Sequence, residues 1–154
     1  MNALFSWGDN SSGQLGLGDI TSKSSPVQIG SSSWTMVKTD GVFAIGLTTT
    51  KALFTWGGNQ YGQLGDGTTT SKSTPTQIGL IGTSSWTAIG INGFNGFDSA
   101  AAIRSDGLLF TWGQNQIGQL GDGTLIAKSS PVQIGSSSWV AVDGGGLVWH
   151  AITI

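Results

Sequence analysis

The sequence LFTWGGNQYGQLGDGTTTSKSTPTQIG, residues 53–79, occurs three times along the chain with small changes. The other copies start at Leu4 and Leu109, and the second and third copies agree at 20 of 27 positions. A second shared phrase, Ser-Ser-Trp, follows each copy. A period near 50 residues is typical of proteins built from small stacked units. We therefore expect a single repeat domain, residues 1–154, with three units at approximately 4–47, 53–103 and 109–154.

The apolar pattern of the middle unit predicts four short strands, at residues 52–56, 76–78, 86–89 and 100–103. Pro75 is expected at the entry of its strand, where a missing N–H donor is tolerated. Four strands per unit predict one small antiparallel sheet per unit, and such a sheet buries both faces only by stacking on its neighbours. We therefore expect an all-β chain of β-propeller blades, four antiparallel strands in each blade and three blades per chain.

The composition excludes several classes of protein. Gly, Ser and Thr supply 63 of 154 residues, Glu is absent, and charged residues make up only 9%, which disfavours helices. A net charge of −2 with scattered Lys residues argues against a nucleic-acid partner. Without cysteine or a long apolar run, neither a thiolate site nor a membrane partner is expected. No secretory signal pattern opens the sequence, and a virion and the cytoplasm both stay open as locations.

Each copy combines a Trp, an Asn, a Gly-Gln-Leu-Gly run and a Pro, and this combination resembles the repeat of the regulator of chromosome condensation family. The residues concerned are Trp7, Asn10, 13–16 and Pro26, then Trp56, Asn59, 62–65 and Pro75, then Trp112, Asn115, 118–121 and Pro131. The resemblance implies a propeller, usually of seven blades, in a family that includes a chromatin-bound guanine nucleotide exchange factor and many binding propellers. This chain has under half of those blades and no basic tail, so we expect binding rather than exchange.

Three blades are too few to close a ring, because propellers close with roughly four to eight blades. Residues 2–7 match the strand at 51–56, so we expect strand 2–7 to complete a blade with strand 148–154 of another chain. The residues expected to carry this assembly are Leu4, Phe5, Trp7, Ala151, Ile152 and Ile154. Two chains joined head to tail would give a six-bladed homodimer. A head-to-tail filament and a place within a larger propeller are the alternatives.

The sequence offers no catalytic constellation, and we predict no catalytic, metal or cofactor residue. His150 is the only histidine, so one chain cannot assemble a histidine metal triad or a Ser-His-Asp relay. The family resemblance places it in the terminal strand of its repeat, at the position that Phe43 and Ser99 occupy in the other two repeats. Asp-Gly pairs such as 66–67 and 122–123 lack the alternating spacing of calcium loops and are expected to form tight turns.

Aromatic residues supply the candidates for partner binding. Six of the seven tryptophans occupy repeated positions and are expected to pack between blades, whereas Trp149 breaks the pattern. The candidate binding residues are Phe94, Phe97, Tyr61 and Trp149. The two Phe residues lie in a Gly/Asn-rich insertion, where exposed aromatics suit binding; folding back onto a blade is an equal alternative.

The predicted function is a non-enzymatic structural or binding propeller. A phage or virus surface or decoration component is the first hypothesis. The alternative is a soluble propeller that modulates a cellular partner, as an enzyme inhibitor or an exchange-factor-like regulator. The expected partners are a second copy of the chain, another protein or a glycan.

Overall fold

The computed structural model describes residues 2–79, 85–93, 96–145 and 147–153, which form twelve strands and no helix. The strands are β1 (Phe5–Gly8), β2 (Lys23–Gln28), β3 (Trp34–Thr39), β4 (Phe43–Thr48), β5 (Leu53–Gly57), β6 (Lys72–Ile78), β7 (Trp86–Asn92), β8 (Ser99–Arg104), β9 (Leu109–Gly113), β10 (Lys128–Ile134), β11 (Trp139–Gly145) and β12 (Val148–Thr153). None of these residues therefore belongs to a helix that could cross a bilayer. The all-β expectation is confirmed.

The strands pair into two full sheets and two half-sheets, all antiparallel. The first full sheet has the order β3-β4-β5-β6 and the second has β10-β9-β8-β7. The N-terminal half-sheet contains β1 and β2, and the C-terminal half-sheet contains β11 and β12. Four-stranded blades are thus confirmed, but the expectation of one sheet per repeat unit is wrong. The described residues form two complete blades and two half-sheets.

A tight hairpin between β4 and β5 explains this offset between repeats and sheets. The N–H of Lys51 donates to the carbonyl oxygen of Thr48 (2.9 Å), and Lys51 adopts a left-handed φ of 63°. The hairpin therefore pairs the last strand of one repeat with the first strand of the next, Leu47 opposite Leu53. The order of strands along the sequence is the same whether a sheet takes its four strands from one repeat or from two successive repeats. The repeat pattern alone therefore did not fix the sheet boundaries.

The outer strand of the first full sheet is longer than the sequence predicts. β6 begins at Lys72, so Pro75 lies in the middle of the strand rather than at its entry. The pairing of β5 with β6 shifts register between Thr55 and Gly57, next to the proline. β6 is also an edge strand, so the missing N–H of Pro75 costs no ladder bond to a further strand.

The sheets stack face to face in chain order, with apolar side chains between each pair. Phe43, Ile45 and Leu47 of the first full sheet meet Ile89 and Ile91 of the second. A second cluster joins the N-terminal half-sheet to the first full sheet, and a third joins the second full sheet to the C-terminal half-sheet. Strand β7 packs against both β3 and β11, so the first strands of the successive sheets lie together.

Candidate assembly and binding surfaces

The loop after the first strand of each repeat is held by a fully buried asparagine. Asn59 donates from Nδ2 to the carbonyl oxygens of Thr68 (3.1 Å) and Thr70 (3.0 Å), and its Oδ1 accepts the N–H of Leu64 (2.9 Å). The equivalent bonds are made in the other two repeats by Asn10 and Asn115. Because all partners belong to the same loop, each loop fixes its own shape.

The first two of these loops each receive the tryptophan of the next repeat. The indole N–H of Trp56 donates to the carbonyl oxygen of Gln14, and that of Trp112 donates to Gln63, both at 3.0 Å. Gly16 and Gly65, each with a φ of +72°, lie against the indoles; a Cβ would come within 2.9 and 2.6 Å of the respective Nε1. We call the backbone at 14–16, 63–65 and 119–121 the three Trp sockets.

One tryptophan and one socket have no match in the described part of the chain. Trp7 is 61% exposed, whereas its repeat equivalents Trp56 and Trp112 are 1% and 0% exposed. At the third socket, a Cβ on Gly121 would find only the Ile134 methyl group, at 4.0 Å. The expectation that all six repeated tryptophans pack between blades is therefore wrong for Trp7 within the described residues, because no Trp socket among them contacts it.

The residues expected to carry assembly lie mostly on the open sides of the half-sheets. Phe5 is 48% exposed and Ile152 is 61% exposed, whereas Leu47 and Ile103, which occupy the register position of Ile152, are buried. Half-buried positions are Leu4 and Ala151, while Ile154 lies outside the described residues. Strands β1 and β12 do not pair with each other within the chain. Pairing between chains stays a prediction.

A groove marks the side of β1 that faces the first full sheet. It encloses a cavity of about 370 Å³, and its walls include Leu4, Trp7, Val37, Ala44 and Trp56. The strand equivalent to β1 in the first full sheet is β5, and β4 pairs with the edge of β5 that corresponds to the open edge of β1. The groove therefore lies where the two missing strands of the N-terminal half-sheet would continue the sheet.

The candidate binding aromatics are spread over separate elements. Tyr61 is half-buried in the loop after β5, where its backbone N–H donates to Gln63 Oε1 (2.9 Å). Phe97 is half-buried just before β8, and Phe94 lies outside the described residues. Trp149 packs inward, since a Cβ on Gly90 would lie 2.6 Å from its ring. A binding role for these residues stays a prediction.

Two carboxylates lie close together where the β3–β4 and β7–β8 loops meet. Burial and, to a smaller extent, the neighbouring Asp40 carboxylate raise the pKa of Asp98 to about 6, against a hydrogen bond from Gln63 Nε2 (3.1 Å) that lowers it. Burial also raises the pKa of Asp40, although two backbone N–H groups donate to it. The sequence gives no signal for this pair because the two residues lie 58 positions apart and belong to different repeats.

His150 lies on the exposed surface of β12, opposite Asp143 of β11. The register places it at the position of Ile45 and Ala101, so its alignment with Phe43 and Ser99 is wrong by two residues. The first and third repeats in fact match without a gap at an offset of 105 residues.

The Asp-Gly pairs form turns, as predicted. Asp66 Oδ1 accepts the N–H of Thr68 (2.9 Å), and Asp122 Oδ1 accepts that of Thr124 at the same distance. Lys72 and Lys128 lie 3.4 and 3.5 Å from these two carboxylates. Within the residues placed by the structure, no three His, Cys, Asp or Glu side chains gather into a group that could hold a metal ion.

Comparison with solved structures identifies the architecture. Prp20p from Saccharomyces cerevisiae, which has binding properties toward Gsp1p and histones, matches 99% of this chain with a TM-score of 0.81 and 15% sequence identity. Yeast RCC1 (Prp20) bound to Kap60 matches 99% of this chain with a TM-score of 0.77 and 20% sequence identity. Human WBSCR16 matches 99% of this chain with a TM-score of 0.53 and 22% sequence identity. The chain spans 40%, 38% and 53% of these proteins, respectively.

The sequence itself matches a family model three times. No curated protein matches the sequence of this chain. The model of the regulator of chromosome condensation (RCC1) repeat matches residues 2–39, 52–91 and 106–147, which together cover most of the chain. The matched segments contain all three asparagine-held loops and all three Trp sockets. The chain belongs to the RCC1 repeat family.

Proposed function

We propose that this chain is a non-enzymatic, protein-binding propeller whose two half-sheets are completed by a second copy, giving a closed six-bladed ring. One observation carries the proposal: the two half-sheets are complementary. The N-terminal half-sheet provides the last two strands of a blade and the C-terminal half-sheet provides the first two. Placed side by side, they give the order β11-β12-β1-β2, which reproduces the order β3-β4-β5-β6 of the first full sheet.

The exposed apolar side chains of the half-sheets supply the driving force. Phe5, Trp7, Val148 and Ile152 are each about half exposed or more. Burial of such side chains stabilises by roughly 1.5–3 kcal/mol each, so four of them represent on the order of 8 kcal/mol per junction. Pairing also removes two open strand edges, which otherwise invite association with other chains. Two identical junctions close a twofold ring without leaving an open end.

The binding role rests on the family. Prp20p binds Gsp1p and histones, and yeast RCC1 binds Kap60. These partners belong to other proteins, and they support a protein-binding role here at the level of the class. Among the two sequence-based hypotheses, protein-binding relatives favour the propeller that modulates a cellular partner. A virion location and a glycan ligand stay sequence-based predictions.

The ring is tested by the mass of the full chain in solution. Light scattering is expected to give about twice the 15.8 kDa of one chain. Ile152→Asp places a charge on the open side of β12 and is expected to give the single-chain mass. Ile20→Asp is the matched control, because Ile20 is similarly exposed (67% against 61%) but lies in a loop of the first repeat. A discrete wild-type monomer would contradict the ring, and open-ended polymers would favour the filament.

The absence of exchange activity is tested separately. A small guanine-nucleotide-binding protein loaded with a fluorescent guanine nucleotide is expected to release it at its intrinsic rate in the presence of this chain. Accelerated release by this chain would contradict the non-enzymatic role and favour the exchange-factor-like alternative.

A further inference from the structure

We propose that the third Trp socket, the backbone of Gln119, Leu120 and Gly121, binds Trp7 of a second copy of this chain. The indole N–H of Trp7 donates to the Gln119 carbonyl oxygen, and the ring lies against Gly121. This inference rests on the proposed ring and assigns the contact that holds consecutive copies in register. It concerns the faces of neighbouring blades and is separate from the pairing of strands β12 and β1.

The two filled sockets define the contact, because the chain makes it twice with the same geometry. Besides the Trp bond, the N–H of Gly18 donates to the carbonyl oxygen of Ser73, and that of Gly67 donates to Ser129, both at 2.8 Å. A Cβ on Gly13 would lie 2.8 Å from Ser73 Cα, and one on Gly62 would lie 2.5 Å from Ser129 Cα. Each filled socket is therefore one part of a close backbone contact between consecutive repeats.

The third socket has the conformation of the filled ones. Gly118 and Gly62 have the same φ of +77°, and Gly121 has a φ of +69° against +72° at Gly65. Asn115 holds the loop with the same bonds as Asn59. The socket is thus formed before any tryptophan enters it, so binding requires little reorganisation of the loop.

The matching half of the contact is exposed at the other end of the chain. Gly57 and Gly113 follow the bound tryptophans, and a Cβ on either would lie 3.3 Å from Cα of the socket glutamine. The equivalent Gly8 has no atom within 4 Å of its Cβ position, although its φ of +107° matches theirs. Ser24, which corresponds to Ser73 and Ser129, is exposed.

A second copy is the occupant that this geometry favours. Trp7 belongs to the N-terminal half-sheet and the third socket to the second full sheet, with the first full sheet between them, so the chain does not fill its own socket. The segment FSWG of β1 corresponds to FTWG of β5 and β9, which present the two bound tryptophans. A second copy therefore brings the same indole on the same type of strand to a socket of the same shape.

A complementation experiment with the full chain tests this contact. Trp7→Ala removes the indole but leaves the socket intact, and Gly121→Ala places a Cβ where the indole belongs but leaves Trp7 intact. Each variant alone is expected to give the single-chain mass in light scattering. Their equimolar mixture is expected to recover a two-chain species, because Trp7 of one variant meets the unchanged socket of the other.

Two control variants separate the contact from effects on folding. Gly135→Ala introduces the same side chain at a similar φ of +59°, with no atom within 4 Å there or at the equivalent Gly30, and is expected to assemble like the wild type. Trp7→Phe retains an aromatic ring but loses the N–H donor, and is expected to weaken assembly about tenfold. Urea unfolding of every variant checks that the chain still folds.

The outcomes distinguish this contact from the ring itself. A monomeric wild type contradicts the ring, and the inference fails with it. If the wild type is a dimer and Trp7→Ala dimerises with the same dissociation constant, the socket inference is overturned while the ring stands. Failure of the mixture to recover two-chain species, with both single variants folded and monomeric, also overturns the socket.

Discussion

Trp7 and Trp56 occupy the same position of two repeats and have opposite surroundings. Trp56 is 1% exposed and donates to the Gln14 carbonyl oxygen, whereas Trp7 is 61% exposed. Both follow a phenylalanine by two residues and precede a glycine with a φ above 100°. The difference therefore comes from the neighbouring repeat. In this fold, a repeat provides the loop and strands, but the repeat before it determines whether its tryptophan is buried.

The strongest test of this difference replaces each tryptophan in turn. Trp56→Ala is expected to lower the free energy of unfolding by about 4 kcal/mol at every protein concentration, because it leaves a cavity between two sheets. Trp7→Ala is expected to have an effect below about 1 kcal/mol in dilute solution and a larger one where copies associate. Urea unfolding over a range of concentrations measures both. Equal losses at all concentrations would mean that Trp7 is buried within its own chain.

Removal of the loop asparagine is expected to lower the free energy of unfolding equally in the first and the second repeat. Asn10→Ala and Asn59→Ala each remove a buried carboxamide and leave backbone groups without partners, at a cost of about 3 kcal/mol. Because the partners lie within the same loop, the two losses are expected to agree within about 0.5 kcal/mol. Urea unfolding under identical conditions provides the values. A much smaller loss for Asn10→Ala would show that this loop takes its shape only from a neighbour.

A glycine pair isolates the contact between repeats from the strain of the backbone. Gly62 and Gly118 share a φ of +77°, but a Cβ meets Ser129 Cα at 2.5 Å at Gly62 and only a Leu125 methyl group at 3.6 Å at Gly118. Alanine at either position carries the same cost of about 1 kcal/mol for a left-handed φ. In dilute solution, where the copies are dissociated, Gly62→Ala is expected to cost about 2 kcal/mol more in urea unfolding, because the Ser129 backbone must move. Equal costs would indicate that the Ser129 backbone moves away from residue 62 without a measurable loss of stability.

We expect the smallest change in the free energy of unfolding at the carboxylate pair Asp40 and Asp98, which lies between the two full sheets. The pKa of Asp98 is raised to about 6 in the folded chain from an ordinary value of 3.8, so the folded state binds the proton more tightly than the unfolded state. Its contribution to stability is full below pH 4 and is lost as the pH rises through about 6. Asp98→Asn is therefore expected to stabilise the chain at pH 7 by about 1 kcal/mol and to have little effect at pH 3.5.

Unfolding at both pH values checks the sign. The other carboxylates whose pKa is lowered, such as Asp66 and Asp106, stabilise the fold as the pH rises, so the difference between variant and wild type is the informative quantity. A variant that is less stable than the wild type at pH 7 would contradict the assignment.

Much of the fold was predictable from the repeated sequence. Strand-forming residues such as 53–56 and the recurring glycines report local conformation, and the structure places strands and turns at those positions. The expectation of one sheet per unit missed the phase of the sheets, because the repeat pattern is the same in either phase; the expected pairing of strand 2–7 with strand 148–154 agrees in phase with the observed pairing of β5 with β4. The position of Pro75 within β6 was missed for a related reason, since an edge strand tolerates a proline that a central strand would not.

The candidate site was predictable only in part. Leu4, Phe5, Trp7 and Ile152 were singled out from their places in the repeats, and they lie on the half-sheets. The exposed fraction of Trp7 depends on a neighbour that no local pattern describes. The raised pKa of Asp98 depends on Asp40, which comes close only through the stacking of two sheets.

The offset between repeats and sheets has a consequence for how such chains can change in length. If a whole repeat is duplicated in the gene, the new unit adds one complete blade between the existing half-sheets and leaves both of them unaltered. The same holds in reverse when a repeat is deleted. For the proposed ring, unequal recombination would therefore change the number of blades without requiring a new junction between chains.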